Sequence, residues 1–354
     1  MLFRPHIEVI GLDISQRSLK AVQFARGWSS KLKLRAFSDI ELDKGIIVEG
    51  DIKQGAALTE AVKRLLAYPK YGKFNTPYVV SCLPEQKTFI KLVDIPPMSK
   101  EEIGQAIKWE AEHHIPIPIG ETYMDWQLIG KPAPGQRLPV LLGVAPKGIV
   151  ESYQKVLADA GLINLAQEIE AEAVTRALLP IDDSSQDTIM IVDLGFSRTS
   201  ICLWTDNSIQ FTVSLPLSGE KLTDAIAKTF NITWEEAEKT KIICGFDPDK
   251  CRGSLQKILD QEVDQLIKKI KETFDFYAEH FPNSAPVNQI MLCGGGANFK
   301  FIDSYLKDAL GLPIVVGNPW LNLKSTPPVL TRAALLSYTT AVGLGLRVVE
   351  RYYD

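Results

Sequence analysis

The same strand–turn–strand–strand unit opens at two places in the chain, and each copy carries an aspartate near the end of its first strand. Residues 7–14 (IEVIGLDI) predict a strand ending at a turn, 19–25 (LKAVQFA) the next strand, and 32–40 a third. Links this short make the three strands an antiparallel meander. After a polar linker, IDDSSQD, the segments IMIVDLG, TSICLWT and IQFTVSLP repeat the pattern. A weak repeat of this kind predicts two similar lobes. The length of 354 residues agrees, being too great for one ordinary core.

Between and after the two copies, periodicity supplies the remaining elements. Residues 55–68 carry apolar residues at helical spacing. TPYVVSCLP and TFIKLVDIP predict strands bounded by proline. SKEEIGQAIKWEAEHH predicts a helix that Ser99 and Glu102 begin as a capping box. VLLGVA and IVESYQKVLADAG follow as strand and helix, so residues 76–163 predict a compact β-β-α-β-α unit with its own core. Residues 164–180 predict a strand running into a helix, and 219–280 a helical region ending in a long helix. QIMLCGGG predicts a strand entering a glycine turn, then a helix from FKFIDSYLKDALG. RAALLSYTTAVGLGLRVVE predicts an apolar closing helix.

Composition excludes several classes. A net charge of -4 and the lack of a basic stripe argue against nucleic acid as a partner. No run of about 18 apolar residues is present, and Arg4, Pro5, His6 and Glu8 break the N-terminal stretch, so neither membrane insertion nor a signal peptide is expected. The five cysteines form no C-x-x-C pair and lie away from the histidines, which predicts reduced thiols and no zinc.

Three turns can carry chemistry: Gly11-Leu12-Asp13-Ile14-Ser15, Asp193-Leu194-Gly195-Phe196-Ser197, and Gly294-Gly295-Gly296 with Asn298. In the first two, a strand ends in an acid and the chain turns tightly, leaving N–H groups and hydroxyls to hold phosphate oxygens. The acid would repel phosphate directly, and makes sense only with Mg²⁺, still carrying its waters, between them. One such hairpin per lobe would grip a phosphate chain from both sides. The triple glycine lets backbone approach a flat ligand, and a helix after it would offer free N–H groups.

These residues resemble the actin-like ATPase superfamily. GLDISQRSLKAV is similar to its first phosphate motif, IVDLGFSRTSICL to its second and IMLCGGGANFKFI to its adenosine motif. IEAEAVTRAL and TTAVGLGLR resemble its two connecting helices. Within the superfamily, LVDIPPMSKEEIGQAIKWEAEHHIPIPIGETYMDW, LSGEKLTDAIAKTFNI and the NPW at 318–320 resemble the PilM family of type IV pilus assembly. The resemblance implies an α/β, ribonuclease H-like, two-lobed actin-like fold with an inserted, SHS2-like subdomain 1C. It implies subdomain 1A at 1–75, 164–185 and 330–354, 1C at 76–163, 2A at 186–218 and 286–329, and 2B at 219–285.

The resemblance also implies roles. Asp13 and Asp193 would hold the water shell of Mg²⁺. Ser15, Gln16, Ser18 and Lys20 would line the first phosphate loop, and Gly195, Ser197 and Thr199 the second. Gly294, Gly295, Gly296 and Asn298 would hold the adenosine of ATP, and Lys221 would border the nucleotide. Glu238 and Lys241, three apart on one helix face, resemble the pair that brackets sugar and base; a plain surface ion pair is the alternative. Ser15 replaces the family's usual glycine and Ala171 its proline. Glu170 is the candidate for orienting an attacking water, with a helix-start acid favoured by the macrodipole as the alternative. At most a slow ATPase is expected. The implied partner is the N-terminal cytoplasmic peptide of PilN, within the pilus inner-membrane complex, bound in a groove between 1A and 1C that His113 to Pro116 could border. That places the chain on the cytoplasmic face of the membrane through its partner, with self-association left open. An FtsA-like division protein and a small-molecule kinase are the alternative readings.

Overall fold

The computed structural model describes residues 8–26, 32–114, 117–129, 135–180, 187–247, 249–250, 254–281, 284–323 and 330–350. The first meander is β1 (Ile10–Ile14), β2 (Ser18–Arg26) and β3 (Leu32–Glu41), followed by the small hairpin β4 (Ile47–Val48) and β5 (Asp51–Ile52). Next come α1 (Gly55–Ala67), β6 (Tyr71–Gly72), β7 (Tyr78–Leu83), β8 (Phe89–Ile95), α2 (Lys100–His114), β9 (Thr122–Leu128), β10 (Leu138–Pro146), α3 (Lys147–Asp159), β11 (Ile163–Ile169) and α4 (Glu170–Leu178). The second meander is β12 (Ile189–Leu194), β13 (Thr199–Thr205) and β14 (Ser208–Leu215). It leads to α5 (Gly219–Phe230), α6 (Trp234–Cys244), α7 (Ser254–His280), β15 (Gln289–Cys293), α8 (Ile302–Leu310), β16 (Ile314–Val316), α9 (Arg332–Leu336) and α10 (Thr339–Glu350).

The duplication runs deeper than the meanders. The first sheet has the order β11-β7-β1-β2-β3-β6, and the second begins β16-β15-β12-β13-β14. In both, the meander's first strand pairs antiparallel with the second and parallel with a later strand, β7 or β15. Parallel central strands are buried on both faces, which is why VVSCL in β7 reads as a continuous apolar run. The two lobes are thus two copies of one five-strand unit, and the fold is the actin-like two-lobed α/β fold.

The inserted unit is smaller than 76–163. Strand β7 belongs to the first sheet, and α3 packs Tyr153, Val156 and Leu157 into the first lobe's core with Leu58, Val62 and Leu65 of α1. What remains between them is β8, α2, β9 and β10. Ile103, Ile107 and Ala111 of α2 pack there on Val93, Ile95, Val140, Leu142 and Val144. Its three strands do not form a separate sheet: β8 joins β14 through the pair Phe211↔Lys91, extending the second lobe's sheet to eight strands. Ile90 and Leu141 also share a core with α4 and with Ile191, Cys202 and Ile209 of the second lobe. Glu102 reaches back to the Ser99 N–H at 3.0 Å, as the capping box predicts. Of the expected groove-bordering stretch, His113 and His114 end α2, while residues 115–116, and 181–186 of the predicted linker, lie outside the described residues.

Cys82, Cys202 and Cys293 are free and buried, as expected. Cys244 is disulfide-bonded, which corrects the expectation of reduced thiols throughout. Its partner lies outside the described residues.

The lobes are joined by α4 and α10, which cross in close contact. Gly343 makes this crossing possible, because a Cβ there would overlap the Ala173 carbonyl. Gly11 of β1 faces α10 in the same way, against Ala341 and Gly345. Gly343→Ala is therefore expected to force the two helices apart and destabilise the fold by about 1–3 kcal/mol. Equilibrium urea unfolding checks this; an unchanged midpoint would show that the crossing tolerates a wider spacing.

Candidate functional site

Asp13 and Asp193 are each the penultimate residue of their strand, β1 and β12, so the duplication places them in equivalent positions. Both line one cleft of about 220 Å³ between the lobes. Asp13 Oδ1 accepts from the Ser15 hydroxyl at 3.0 Å and from the Cys82 thiol at 3.7 Å. Asp193 accepts from the Cys293 thiol. Gly294 closes over Asp193 with φ at +77°, and a side chain there would collide with the carboxylate. Glycine is required at that position on both counts.

Two more acids face the same space. Glu170, the first residue of α4, accepts from the Thr340 hydroxyl of α10 at 3.3 Å. Glu85 sits on a short turn after β7, and its Oε2 accepts from the Ser200 hydroxyl of β13, across the lobe boundary. Its Oε1 is buried and has no partner. Crowding shows in the acidities. Burial, then Asp193, raises the Glu85 carboxyl to about 7. Burial, then Asp13, raises Asp193 to about 6, against the pull of Lys20. Burial, then Asp193, Asp13 and Glu85, pushes Glu170 well above the usual carboxylate range. Like charges held together out of water favour uptake of protons or of a cation.

Of the sequence-predicted residues, Asp13, Ser15, Gln16, Ser18, Lys20, Glu170, Asp193, Gly195, Ser197, Gly294 and Gly295 all line this cleft. The remainder do not. Thr199 is buried inside β13, opposite Leu194 and Leu215. Lys221 is exposed on α5. Gly296 is buried against Leu194, and Asn298 donates to the Gly295 and Ala333 carbonyls, tying the glycine turn to α9. A short 3-10 turn over Gly295–Asn298 separates the triple glycine from α8, so no helix N-terminus follows it directly. Glu238 and Lys241 are not a surface pair. Lys241 Nζ is buried and donates to Glu238 at 2.6 Å, to Thr223 at 2.6 Å and to the Gly219 carbonyl at 2.8 Å, with the Phe299 ring 5.4 Å away.

The two turns suit an anion. The carbonyls of Gly195 and Phe196 accept from the N–H groups of Gly219 and Glu220 at the start of α5. Among the described residues, the N–H groups of Gln16, Arg17, Phe196 and Ser197 find no acceptor within the chain. The Ser15 N–H instead closes its own turn on the Ser18 carbonyl, at 3.0 Å, and Gln16 Oε1 accepts from the Glu49 N–H. No group of three or more acids, histidines or cysteines among the described residues is arranged to ligate a metal directly. The donor set fits a hydrated Mg²⁺ between carboxylates and a polyanion better than a stripped ion. Glu85 and Arg17 are cleft residues that sequence reasoning missed; neither stands in a spacing pattern that marks it.

Comparison with known proteins bears on the family and the fold. The family described as type IV pilus assembly protein PilM matches residues 11–349. The solved PilM-PilN type IV pilus biogenesis complex is 25% identical, with a TM-score of 0.84 over 98% of this chain and 99% of that one. MreB 5 of Spiroplasma citri bound to AMPPNP shares the fold, at TM-score 0.58 and 14% identity over 99% of both chains. The cell division protein FtsA of Buchnera aphidicola subsp. Baizongia pistaciae (strain Bp) is 20% identical over 96% of this chain and 84% of its own length.

The raised acidities predict a pH dependence. Glu85 near 7 and Asp193 near 6 keep protons in the folded state that the unfolded chain, with carboxyls near 4, has released. The folded state then binds more protons, so this cluster's contribution to stability is full below about pH 4 and is lost as pH rises through 6 to 7. Glu85→Gln is expected to flatten the profile between about pH 6 and 8. Mg²⁺ is expected to stabilise the wild type more at about pH 8 than at pH 5.5. Thermal unfolding checks both, and equal profiles for wild type and variant would place Glu85 outside the cluster.

Proposed function

Because the chain belongs to the PilM family of type IV pilus assembly proteins, we propose that it is a nucleotide-gated adaptor of the pilus inner-membrane complex. In this reading it binds ATP with Mg²⁺ between its lobes and, in that state, holds the N-terminal peptide of a PilN-like membrane protein. The observation that carries the nucleotide half is the meeting of both strand-end aspartates, both turns, Gly294 and Gly295 in one cleft. Asp13 and Asp193 hold the water shell of the ion. Ser18, Lys20, Ser197 and the unpaired N–H groups hold phosphate oxygens, and Gly294 and Gly295 let the nucleoside lie close to backbone. A bound Mg²⁺ would supply positive charge that offsets the crowding of the four acids and the negative charge of the phosphates. Glu170 sits at the cleft wall where it can orient a water, but burial and then Asp193 and Asp13 push its pKa well above the usual carboxylate range, which favours the protonated form that cannot accept a proton. Slow turnover follows, with the nucleotide acting mainly as a clamp on lobe closure.

A second cleft, of about 540 Å³, supports the peptide half. One wall is β9 and β10 of the inserted unit, with Tyr123 and Trp126 exposed; the other is β11, α4 and α10 of the first lobe. Strands β9 and β11 are both sheet edges, so their backbone can pair with an extended segment. Between the walls, Glu168 is gripped by Arg176 at 2.7 Å and by Arg347. The two sites share their supports. Segment 168–176 carries Glu170 to the nucleotide cleft and Glu168, Glu172 and Arg176 to the groove. Helix α10 carries Thr339 and Thr340 to the first and Arg347 to the second. Lobe closure that shifts α4 against α10 would reshape the groove. Among the described residues no helix is long and apolar enough to cross a membrane, so in this reading the partner supplies the membrane attachment.

Titration with a fluorescent ATP analogue in Mg²⁺ tests the first half. Asp193→Ala is expected to weaken binding at least tenfold, and equal affinity would remove the site. Trp126→Ala is expected to weaken capture of a PilN N-terminal peptide while leaving ATP affinity unchanged. Peptide binding indifferent to this change would move the partner elsewhere.

A further inference from the structure

Two cations from the first lobe and two rings from the second stand together at the mouth of the nucleotide cleft. The Arg17 guanidinium lies 5.9 Å from the Phe196 ring centre, Phe196 lies 6.2 Å from Trp234, and Lys44 Nζ lies 6.0 Å from Trp234. Such contacts are attractive and orient the cations. Lys44 also pairs with Glu220 at 3.5 Å. Arg17 differs. Its Nε and Nη1 are buried and have no acceptor among the described residues. The other cations lining the cleft do have one: Lys20 donates to Ser18 Oγ and Arg198 Nε to Ser214 Oγ, both at 2.8 Å. A buried guanidinium with unused donors costs stability, and such groups call for an explanation. Four acids line the same cleft, yet Arg17 is not paired with any of them.

We infer that Arg17 is a phosphate-binding residue of this cleft, with Phe196 holding its guanidinium across the lobe boundary so that its unused donors meet the nucleotide's phosphate oxygens. The inference rests on the nucleotide reading above and adds a residue to it. The planar fork of arginine suits phosphate oxygens, and its charge offsets a polyanion brought in among carboxylates. Because Arg17 belongs to the first turn and Phe196 to the second, a phosphate chain held by Arg17 also draws the lobes together.

The test compares wild type, Arg17→Ala and Arg17→Lys in two measurements: thermal unfolding without ligand, and affinity for a fluorescent ATP analogue with Mg²⁺. Removing an unpartnered guanidinium is expected to leave ligand-free stability unchanged or raised. Affinity is expected to fall roughly ten- to a hundredfold in Arg17→Ala, with Arg17→Lys between it and wild type. If wild type binds and Arg17→Ala binds equally well, the inference is overturned while the nucleotide site stands. A lower ligand-free midpoint in Arg17→Ala would make the residue structural and also overturn it. Should wild type fail to bind the analogue, the nucleotide reading falls, and the role of Arg17 falls with it.

Discussion

The crossing of α4 and α10 is the constraint on which the rest of the molecule depends. Gly343 lies against the Ala173 carbonyl, and Gly11 of β1 against Ala341 and Gly345 of α10. Backbone meets backbone there with no side chain between, so the spacing of α4 from α10 and of α10 from β1 is set by the thickness of two peptide chains. Such a contact leaves little freedom to separate but allows the helices to slide or rotate. From this seam Glu170 and Thr340 project into the nucleotide cleft, while Glu168, Arg176 and Arg347 project into the groove. The same two helices thus line both clefts.

The cleft is an electrostatic problem left open for a ligand. Asp13, Glu85, Glu170 and Asp193 crowd into a space where water screens poorly, and burial and repulsion push the pKa values of Glu85, Glu170 and Asp193 upward. Across from them, Arg17 holds buried donors with no acceptor, and the two turns hold unpaired N–H groups. Excess negative charge and unused donors in one cavity are complementary to a cation carried by a polyanion. Structural burial alone gives no reason to retain both. The inserted unit adds to this arrangement by its placement. Its strands extend the second lobe's sheet although the chain enters it from the first lobe, and Glu85, at that entry, bonds Ser200 of the second lobe.

Much of this was legible in the chain because the informative patterns are local. The meanders of β1–β3 and β12–β14 are runs of consecutive strands, and the strand-end aspartates and the triple glycine each sit in one short turn. What escaped depends on distant pairing. VVSCL in β7 was read as opening the inserted unit, but its continuous burial comes from lying between β1 and β11. Strand β9 went unseen because TYMDWQL turns few apolar side chains inward: Thr122 is buried, while Tyr123 and Trp126 are exposed. Glu238 and Lys241, three apart on one helix face, resemble a pair that brackets sugar and base, with a surface ion pair as the alternative. The packing of α5 against α6 buries the lysine and turns the pair into a support for the Gly219 carbonyl. Glu85 carries no motif at all, Arg17 sits in the first phosphate-like turn among residues that stood out more by type, and the meeting of the two lobes brings both to one cleft.

The central claim is that hairpins from opposite lobes share a single anionic ligand. A crystal structure of the protein grown with AMPPNP and Mg²⁺ tests it most directly. The account predicts a phosphate chain between residues 15–18 and 195–198, an ion whose waters touch Asp13 and Asp193, and a nucleoside against Gly294 and Gly295. Nucleotide bound at another surface, with the cleft filled by ordered water alone, would contradict it.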